Sequence, residues 1–342
     1  MCPATPRARG GGRLISRRCV RRCGIRWTQS AHLHDRIPMM SAWIRSSPLL
    51  AFTVLAYAGS WLAWSPWWLA RNGVGVLPYE LPCAAVTSMN QLGLFAGPFA
   101  AALIVTGVRS GRAGVSRLLA SLVQLKVRGR WSALALVAVP LAAGIGYVLV
   151  SDFSPEADSS GGFLVVVLIG SYLMFLLGGP LQEEPGWRGV ALPLLQHRHH
   201  PLTAAVLLGL IHCVWHAPLF ATAEWDTARA GTGDYLAYLL LILALSVVLS
   251  WVFNGSRGSL LLAVLAHNGL NWAILSVGGL TGATATTWPA ALGLSVLALI
   301  AIAATRGRLT YDPADPADPA GLVSPVGGRA DAQLPADRAA SS

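Results

Sequence analysis

Charge is scarce in this sequence. Of its 342 residues only 12% are Asp, Glu, Lys or Arg, while 54% are hydrophobic. A soluble domain carries about 25% charged residues, and half that level cannot cover the surface of a soluble fold of this length. A soluble enzyme, a disordered chain and a nucleic-acid binder are therefore poor readings. Lysine is nearly missing: the net charge of +10 rests on 24 Arg and a single Lys, Lys126. Residues 1–47 hold ten of those arginines against one acid, Asp35, so the basicity belongs to an arm and some loops and not to a face for nucleic acid. Cysteine is also sparse. Cys2, Cys19, Cys23, Cys83 and Cys213 are scattered and odd in number, which argues against a disulfide framework. Cys19-x3-Cys23 has no second pair and is read as no metal site.

What the chain has in quantity is long apolar runs. A helix needs ~20 apolar residues to cross a ~30 Å hydrocarbon layer. Eight stretches qualify as candidates: 48–70, 91–108, 131–150, 163–180, 202–221, 235–253, 259–277 and 289–304. Arg and Lys concentrate in alternate connections. The basic arm with Arg45, the loop 109–130 (Arg109, Arg112, Arg117, Lys126, Arg128, Arg130), Arg188 with Arg198, Arg257, and Arg306 with Arg308 fall on one side. The intervening loops are poor in charge or acidic, as with Asp152, Glu156 and Asp158. This alternation is the positive-inside pattern. The expected fold class is all-α: a polytopic membrane helix bundle of about eight transmembrane helices with both termini in the cytoplasm. Backbone polar groups in lipid must pair within their own segment, which leaves helices as the spanning element.

The expected layout is an N-terminal arm over 1–47, basic and disordered, a membrane domain over 48–304, and a disordered Asp-Pro-Ala-rich tail over 305–342. The first apolar run begins near Pro48, too late and too long for a secretory h-region. Met39 or Met40 is the favoured true start, because the chain from Met40 already has a basic flank and a complete first span.

Ionisable groups inside spans are expensive and usually functional. Of fifteen acids, thirteen lie in loops or tails; the other two are adjacent, Glu183 and Glu184, within Gly178-Gly-Pro-Leu-Gln-Glu-Glu-Pro-Gly-Trp-Arg-Gly189. The in-span histidines are His212, His216 and His267, the last accompanied by Asn268 and Asn271. Glu184 and Arg188 are i, i+4, as are His212 and His216, and His267 and Asn271, so each pair shares one helix face. Three polar stripes in apolar sequence are most simply satisfied by facing one another around a wet interior site. A carboxylate beside an imidazole holds and deprotonates a water, and a His and an Asn on a facing helix donate to an oxyanion. That set suits hydrolysis of a peptide bond. No Ser or Cys nucleophile is credible, since Cys213 aims at a different face from His216. Glu, His and Asn are also metal-ligand types, but His212-Cys-Val-Trp-His216 lacks the acid of an H-E-x-x-H zincin.

At these residues the chain resembles the CPBP family, the CaaX-protease and bacteriocin-processing group of intramembrane peptidases. The family pattern E-E-x-x-x-R, F-x-x-x-H, H-x-x-x-N/D is matched by Glu183-Glu184-Pro-Gly-Trp-Arg188, by the stretch ending at His216, and by His267-Asn-Gly-Leu-Asn271, over a motif core of about 160–280. His212 stands where the family usually has Phe, which alters packing there or adds a ligand. The resemblance implies an endopeptidase acting on a membrane-associated or lipidated peptide, with membrane lipids around it and no nucleic-acid partner. It implies that Glu183 with His216 activates the water, that His267 and Asn271 stabilise the oxyanion, and that Glu184 and Arg188 shape the site. Relatives are described both as metalloproteases and as glutamate proteases. A zinc ion on Glu183, His216 and His267 is therefore an open alternative to direct activation by Glu183, which is favoured. The expected location is the bacterial cytoplasmic membrane.

Blander readings stand beside these. His212 serves as a core histidine; Glu183 and Glu184 form an ion-paired pair; His267 and Asn271 act as interhelical glue; His197–His200 is a solvated loop; Trp61, Trp64, Trp67 and Trp68 form an interfacial belt. On the whole-protein level the alternatives are a non-catalytic scaffold or immunity-type protein and, further behind, a transporter. A depth conflict remains: with spans as drawn, Glu183 and His216 sit about 21 Å apart at 1.5 Å per residue. The expected remedy is a span four that runs past Glu183 to near Leu195 with a kink at Pro180 or Pro185, and a span five that begins later than Leu202.

Overall fold

The apolar runs of the sequence all become helix, and among the described residues no strand occurs. A computed structural model describes residues 39–125, 127, 129–150, 161–222, 232–281 and 287–323. Most of the N-terminal arm, the acidic loop with Asp152, Glu156 and Asp158, and Glu224 with Asp226 lie outside them. Within the unit Ser41–Ser342 the main helices are α1 (Pro48–Ala63), α2 (Cys83–Val123), α3 (129–150), α4 (Gly161–Leu177), α5 (180–196), α6 (Pro201–Trp215), α7 (Thr232–Gly255), α8 (Leu260–Thr281) and α9 (Thr287–Thr305). The protein is an all-α membrane helix bundle. Four of these helices, α2, α3, α7 and α9, meet the length and hydropathy of a spanning segment on their own, while α6 and α8 carry shorter apolar stretches. The expected count of about eight crossings is not established by helix length alone.

Two apolar cores divide the bundle. One joins α1, α2, α5 and one side of α6 through Phe52, Trp64, Leu118, Trp187, Leu208 and Trp215. The other joins α3, α7, α8 and α9 through Tyr147, Leu245, Val248, Leu270 and Leu294, with Ala205 of α6. Close helix contact in membranes relies on small residues that let backbones meet. Here α3 and α9 cross at two glycines: a Cβ on Gly146 would sit 1.9 Å from the Pro289 carbonyl oxygen, and one on Gly293 would sit 1.9 Å from that of Ala142.

The local sequence explains how α5 separates from α4. Helix α4 ends at Leu177, Gly178 and Gly179 break it, and Pro180 opens α5 at the position where its missing N–H costs nothing. Apart from Leu181, every residue of α5 is buried, including Glu183, Glu184 and Arg188. Its charges are thus wrapped by protein and not by lipid, as intramembrane ionisable groups require. The exposed residues 197–200 then turn the chain into α6, in keeping with a solvated His197–His200 loop.

This hairpin resolves the depth conflict by half of the expected remedy. Helical structure does continue past Glu183 to Gln196, after a break at Gly178–Gly179. However, α6 begins at Pro201, not later than Leu202. Neighbouring helices joined by a short turn run antiparallel, so the start of α5 meets the end of α6, and Glu183 comes against His212 and His216 without any shift in α6.

Two further expectations are corrected. Trp64 and Trp67 are 0% and 1% exposed and pack inward, because α1 is covered by α2 and by the end of α6. The tail expected to be disordered is packed over residues 306–323. Leu309, Ala317, Ala320 and Leu322 are buried. Asn254 donates to the Leu309 carbonyl (3.1 Å), Ser110 to that of Gly321 (2.8 Å), and the Asp318 carboxylate accepts from the Leu322 and Val323 N–H groups at 2.9 Å each. Asp-Pro-Ala repeats cannot build a core, but they can lie along one. Proline has no N–H to satisfy, alanine fits shallow grooves, and an aspartate closes its own turn.

Candidate functional site

The polar stripes converge where the two cores meet. The N-terminal end of α5 supplies Glu183 and Glu184, the C-terminal end of α6 supplies His212 and His216, and the middle of α8 supplies His267 and Asn271. A cavity of about 220 Å³ is lined by Glu183, His216, His267 and Asn271 together, with Gly178, Gly179, Asn90, Trp64, Trp215 and Tyr238 among its walls. The rest of the lining is mainly aliphatic. Four polar groups from three helices thus share one small, partly open cavity, which is the arrangement expected when separated in-span polar residues satisfy one another.

Each carboxylate has its own histidine. Glu183 Oε2 accepts from His212 Nε2 at 2.9 Å and from the Trp187 indole N–H at 3.3 Å. Both donors meet the same oxygen, so Oε1 is the oxygen not engaged by them; it faces the backbone at Gly179, whose Cβ, were there one, would lie 3.1 Å away. Glu184 Oε1 accepts from Arg188 Nη1 at 3.1 Å and from His267 Nδ1 at 2.7 Å, with Glu184 and Arg188 fully buried. The i, i+4 pair read from the sequence is therefore present, and its carboxylate also orients the α8 histidine. With Nδ1 protonated and held by Glu184, a neutral His267 ring presents Nε2 as a lone pair; once protonated, it presents an N–H there.

His216 is oriented by its own helix. Its Nδ1 lies 3.1 Å from the carbonyl oxygen of His212, so Nδ1 is the donor and Nε2 carries the lone pair in the neutral ring. The rings of His212 and His216 lie 5.0 Å apart and 30° from parallel, and the Trp187 ring lies 4.8 Å from that of His212 at the same tilt. Trp215 packs edge-on to His216 at 4.5 Å, and Tyr238 does so at 5.5 Å.

Every residue singled out as a site candidate lies in or against this cluster, but the partners differ from those expected. Glu183 bonds directly to His212, not to His216. The ligand-type atoms of Glu183, His212 and His216 all lie within 4.8 Å of one another. The expected metal set had His267 in place of His212; His267 is instead tied to Glu184. The observed trio has the two-His, one-carboxylate composition of a catalytic zinc site, whose ligand atoms stand about 3.4 Å apart for bonds of about 2.1 Å in tetrahedral geometry. His216 also has the outer partner a metal-bound histidine normally has, whereas the His212 Nδ1 is buried without a hydrogen-bond partner among the described residues. The donor chemistry fits a zinc ion, and the outer shell fits it at one histidine and not at the other.

Three contributors went unread in the sequence. Trp187 clamps both Glu183 and His212; its signal was its place four residues after Glu183. Asn90 and Tyr238 line the cavity from helices without a motif, and nothing in their local sequence marks them. Asn268 takes the glue role: its amide donates to the Tyr172 carbonyl at 3.0 Å and ties α8 to α4.

Comparison with known proteins bears out the resemblance to the CPBP intramembrane peptidases. Residues 165–273 match the family described as type II CAAX prenyl endopeptidase Rce1-like, a segment that runs from α4 into α8 and holds all three motifs. The CAAX prenyl protease 2 of Methanococcus maripaludis is 31% identical over 111 residues, which cover 32% of this chain and 41% of that relative. The chain thus matches well under half of the relative's length.

Proposed function

We propose that the protein is an intramembrane endopeptidase that hydrolyses a peptide bond in a membrane-associated or lipidated peptide, reached from the cytoplasmic side. The observation that carries this reading is the cavity lined jointly by Glu183, His216, His267 and Asn271 in an otherwise apolar interior. A scaffold has no need for four such groups around one small space. The relative's name, a CAAX prenyl protease, supports a peptide bearing a C-terminal lipid as the substrate to try first.

In this reading Glu183, anchored through Oε2, takes a proton from a water on its Oε1 side while His216 orients that water through Nε2. The oxygen of the water bonds to the scissile carbonyl carbon, and the carbonyl electrons move to oxygen. The Asn271 amide, and the Nε2–H of His267 when that ring carries both protons, donate to that oxyanion, with Nδ1 of His267 held by Glu184. Collapse breaks the C–N bond, and the proton held by Glu183 goes to the leaving amine. Arg188 pairs with Glu184, so that Glu184 orients His267 and leaves water activation to Glu183.

One observation favours a second form of the same chemistry: Glu183, His212 and His216 bring three ligand types within 4.8 Å. Those residues would hold a zinc ion, which supplies Lewis acidity and a more acidic bound water. Direct activation by Glu183 remains the preferred form, because His212 Nδ1 lacks a partner among the described residues and Glu183 Oε2 is already held by two N–H donors.

The test is cleavage of a farnesylated fluorogenic peptide by the full chain in proteoliposomes. Glu183→Ala and His267→Ala should each slow cleavage by a factor on the order of 10² to 10⁴, the scale of a lost general base or oxyanion donor. A double variant that cleaves at the wild-type rate overturns the hydrolase reading in favour of the scaffold.

A further inference from the structure

The segment that matches known peptidases starts at residue 165, yet the histidine end of α6 is held by side chains from α1, more than a hundred residues earlier. Helix α6 finishes at Trp215, where carbonyls run out of helical partners. The Leu219 N–H turns to the His216 carbonyl at 2.9 Å, which leaves the Trp215 carbonyl to another donor. Trp61 supplies it, with its indole N–H 2.8 Å away. One turn earlier on α1, the Tyr57 hydroxyl donates to the Ile211 carbonyl at 2.5 Å. Between them Ser60 accepts from the Trp215 indole N–H and donates to the Gly93 carbonyl, each at 2.8 Å. Residues 211 and 215 bracket His212 and precede His216.

We infer that Tyr57, Ser60 and Trp61 are positioning residues for the candidate reaction: α1 fixes the last turn of α6 and thereby the aim of His216 at the water. The inference rests on the role proposed for His216. Three hydrogen bonds on one helical turn fit positioning better than packing, because packing alone would be met by apolar side chains that need no donors. The loss of a donor here lets the end of α6 drift, and misplacement by about 1 Å is enough to cost a catalyst on the order of 10²-fold. Tyr57, Ser60 and Trp61 are not among the residues that line the cavity, so substrate binding should not register the loss of their donors.

Trp61→Phe and Tyr57→Phe delete one donor each and keep an aromatic ring. Measured on the full chain in proteoliposomes with a farnesylated fluorogenic peptide, each should lower kcat about tenfold, a partial form of that misplacement, and leave KM within about twofold. Single-turnover rates in a His216→Ala background supply the readout that a structural role would not move: there Trp61→Phe should have no further effect, since residues acting through one another are non-additive. An equal fold-loss in both backgrounds, or no loss in the wild-type background, overturns the inference. A His216→Ala variant that itself cleaves at the wild-type rate overturns it too, together with the role given to His216. That outcome is distinguishable, because it appears before either α1 substitution is made.

Discussion

Glu183 Oε2 lies 2.9 Å from Nε2 of His212, a histidine one turn before the one that the family motif names and at a position where the family usually has phenylalanine. The bond, with Trp187 stacked on the His212 ring, fixes the orientation of the carboxylate. If the contact serves chemistry, restoring the family's usual residue should harm this protein. His212→Phe is expected to lower kcat/KM by about 10- to 100-fold, the range found when an orienting partner of a site group is lost. Steady-state kinetics on the purified variant check this; a wild-type rate would show that His212 is packing alone.

The same contact bears on metal dependence. Two N–H donors on Glu183 Oε2 and a His212 Nδ1 without a partner among the described residues favour a carboxylate that works directly on water. Prolonged dialysis against a strong chelator should therefore leave the cleavage rate within about twofold of the untreated enzyme, with no metal near one equivalent by elemental analysis. A loss restored by zinc, and abolished in His212→Ala, would move Glu183, His212 and His216 to the role of ligands.

Much of this was legible in the sequence, for a physical reason. An ionisable side chain in an apolar run is costly enough to need an explanation, so Glu183, Glu184, His216, His267 and Asn271 stood out, and i, i+4 spacing gave the Glu184–Arg188 pair. Spacing along one helix says nothing about which residue it meets on the next, so the assignment of His212 to Glu183 and His267 to Glu184 was out of reach. The kink expected at Pro180 or Pro185 fell next to the actual break at Gly178–Gly179, because a proline in an apolar run reads equally as a kinked span or as the start of a separate buried helix. The packing of residues 309–322 was hidden because an Asp-Pro-Ala composition signals disorder whether or not a groove awaits it.

The buried ion pair makes a stability prediction distinct from the kinetic ones. Arg188 and Glu184 are both fully buried, and Arg188 Nε and Nη2 have no hydrogen-bond partner among the described residues. Removing the guanidinium leaves the Glu184 charge compensated by His267 alone. Arg188→Ala should destabilise the fold by about 3–5 kcal/mol, the cost of breaking a buried pair. Pairing it with Glu184→Gln should recover part of the loss, since an uncharged amide no longer needs the cation. Thermal unfolding in detergent, followed by circular dichroism, distinguishes the single from the double variant; equal midpoints would mean that the loss comes from packing and not from the stranded charge.

The crossing of α3 and α9 lies in the core remote from α5, so it tests the bundle without touching Glu183. At Gly293 a Cβ would meet the Ala142 carbonyl oxygen at 1.9 Å and the Gly146 Cα at 3.3 Å. Both are backbone atoms, so no side chain can rotate away and one helix must move. Gly293→Val is expected to destabilise by at least about 1–3 kcal/mol, the usual cost of overpacking. The seam with α7 would loosen with it, because α9 packs on α7 through the same apolar core. The cleavage rate of the fraction that stays folded should fall only modestly, since the α5–α6 hairpin and its contacts with α1 are untouched while Tyr238 of the loosened α7 lines the cavity. An unchanged unfolding midpoint would show that the two helices have room to separate and that the close crossing is not a constraint on the bundle.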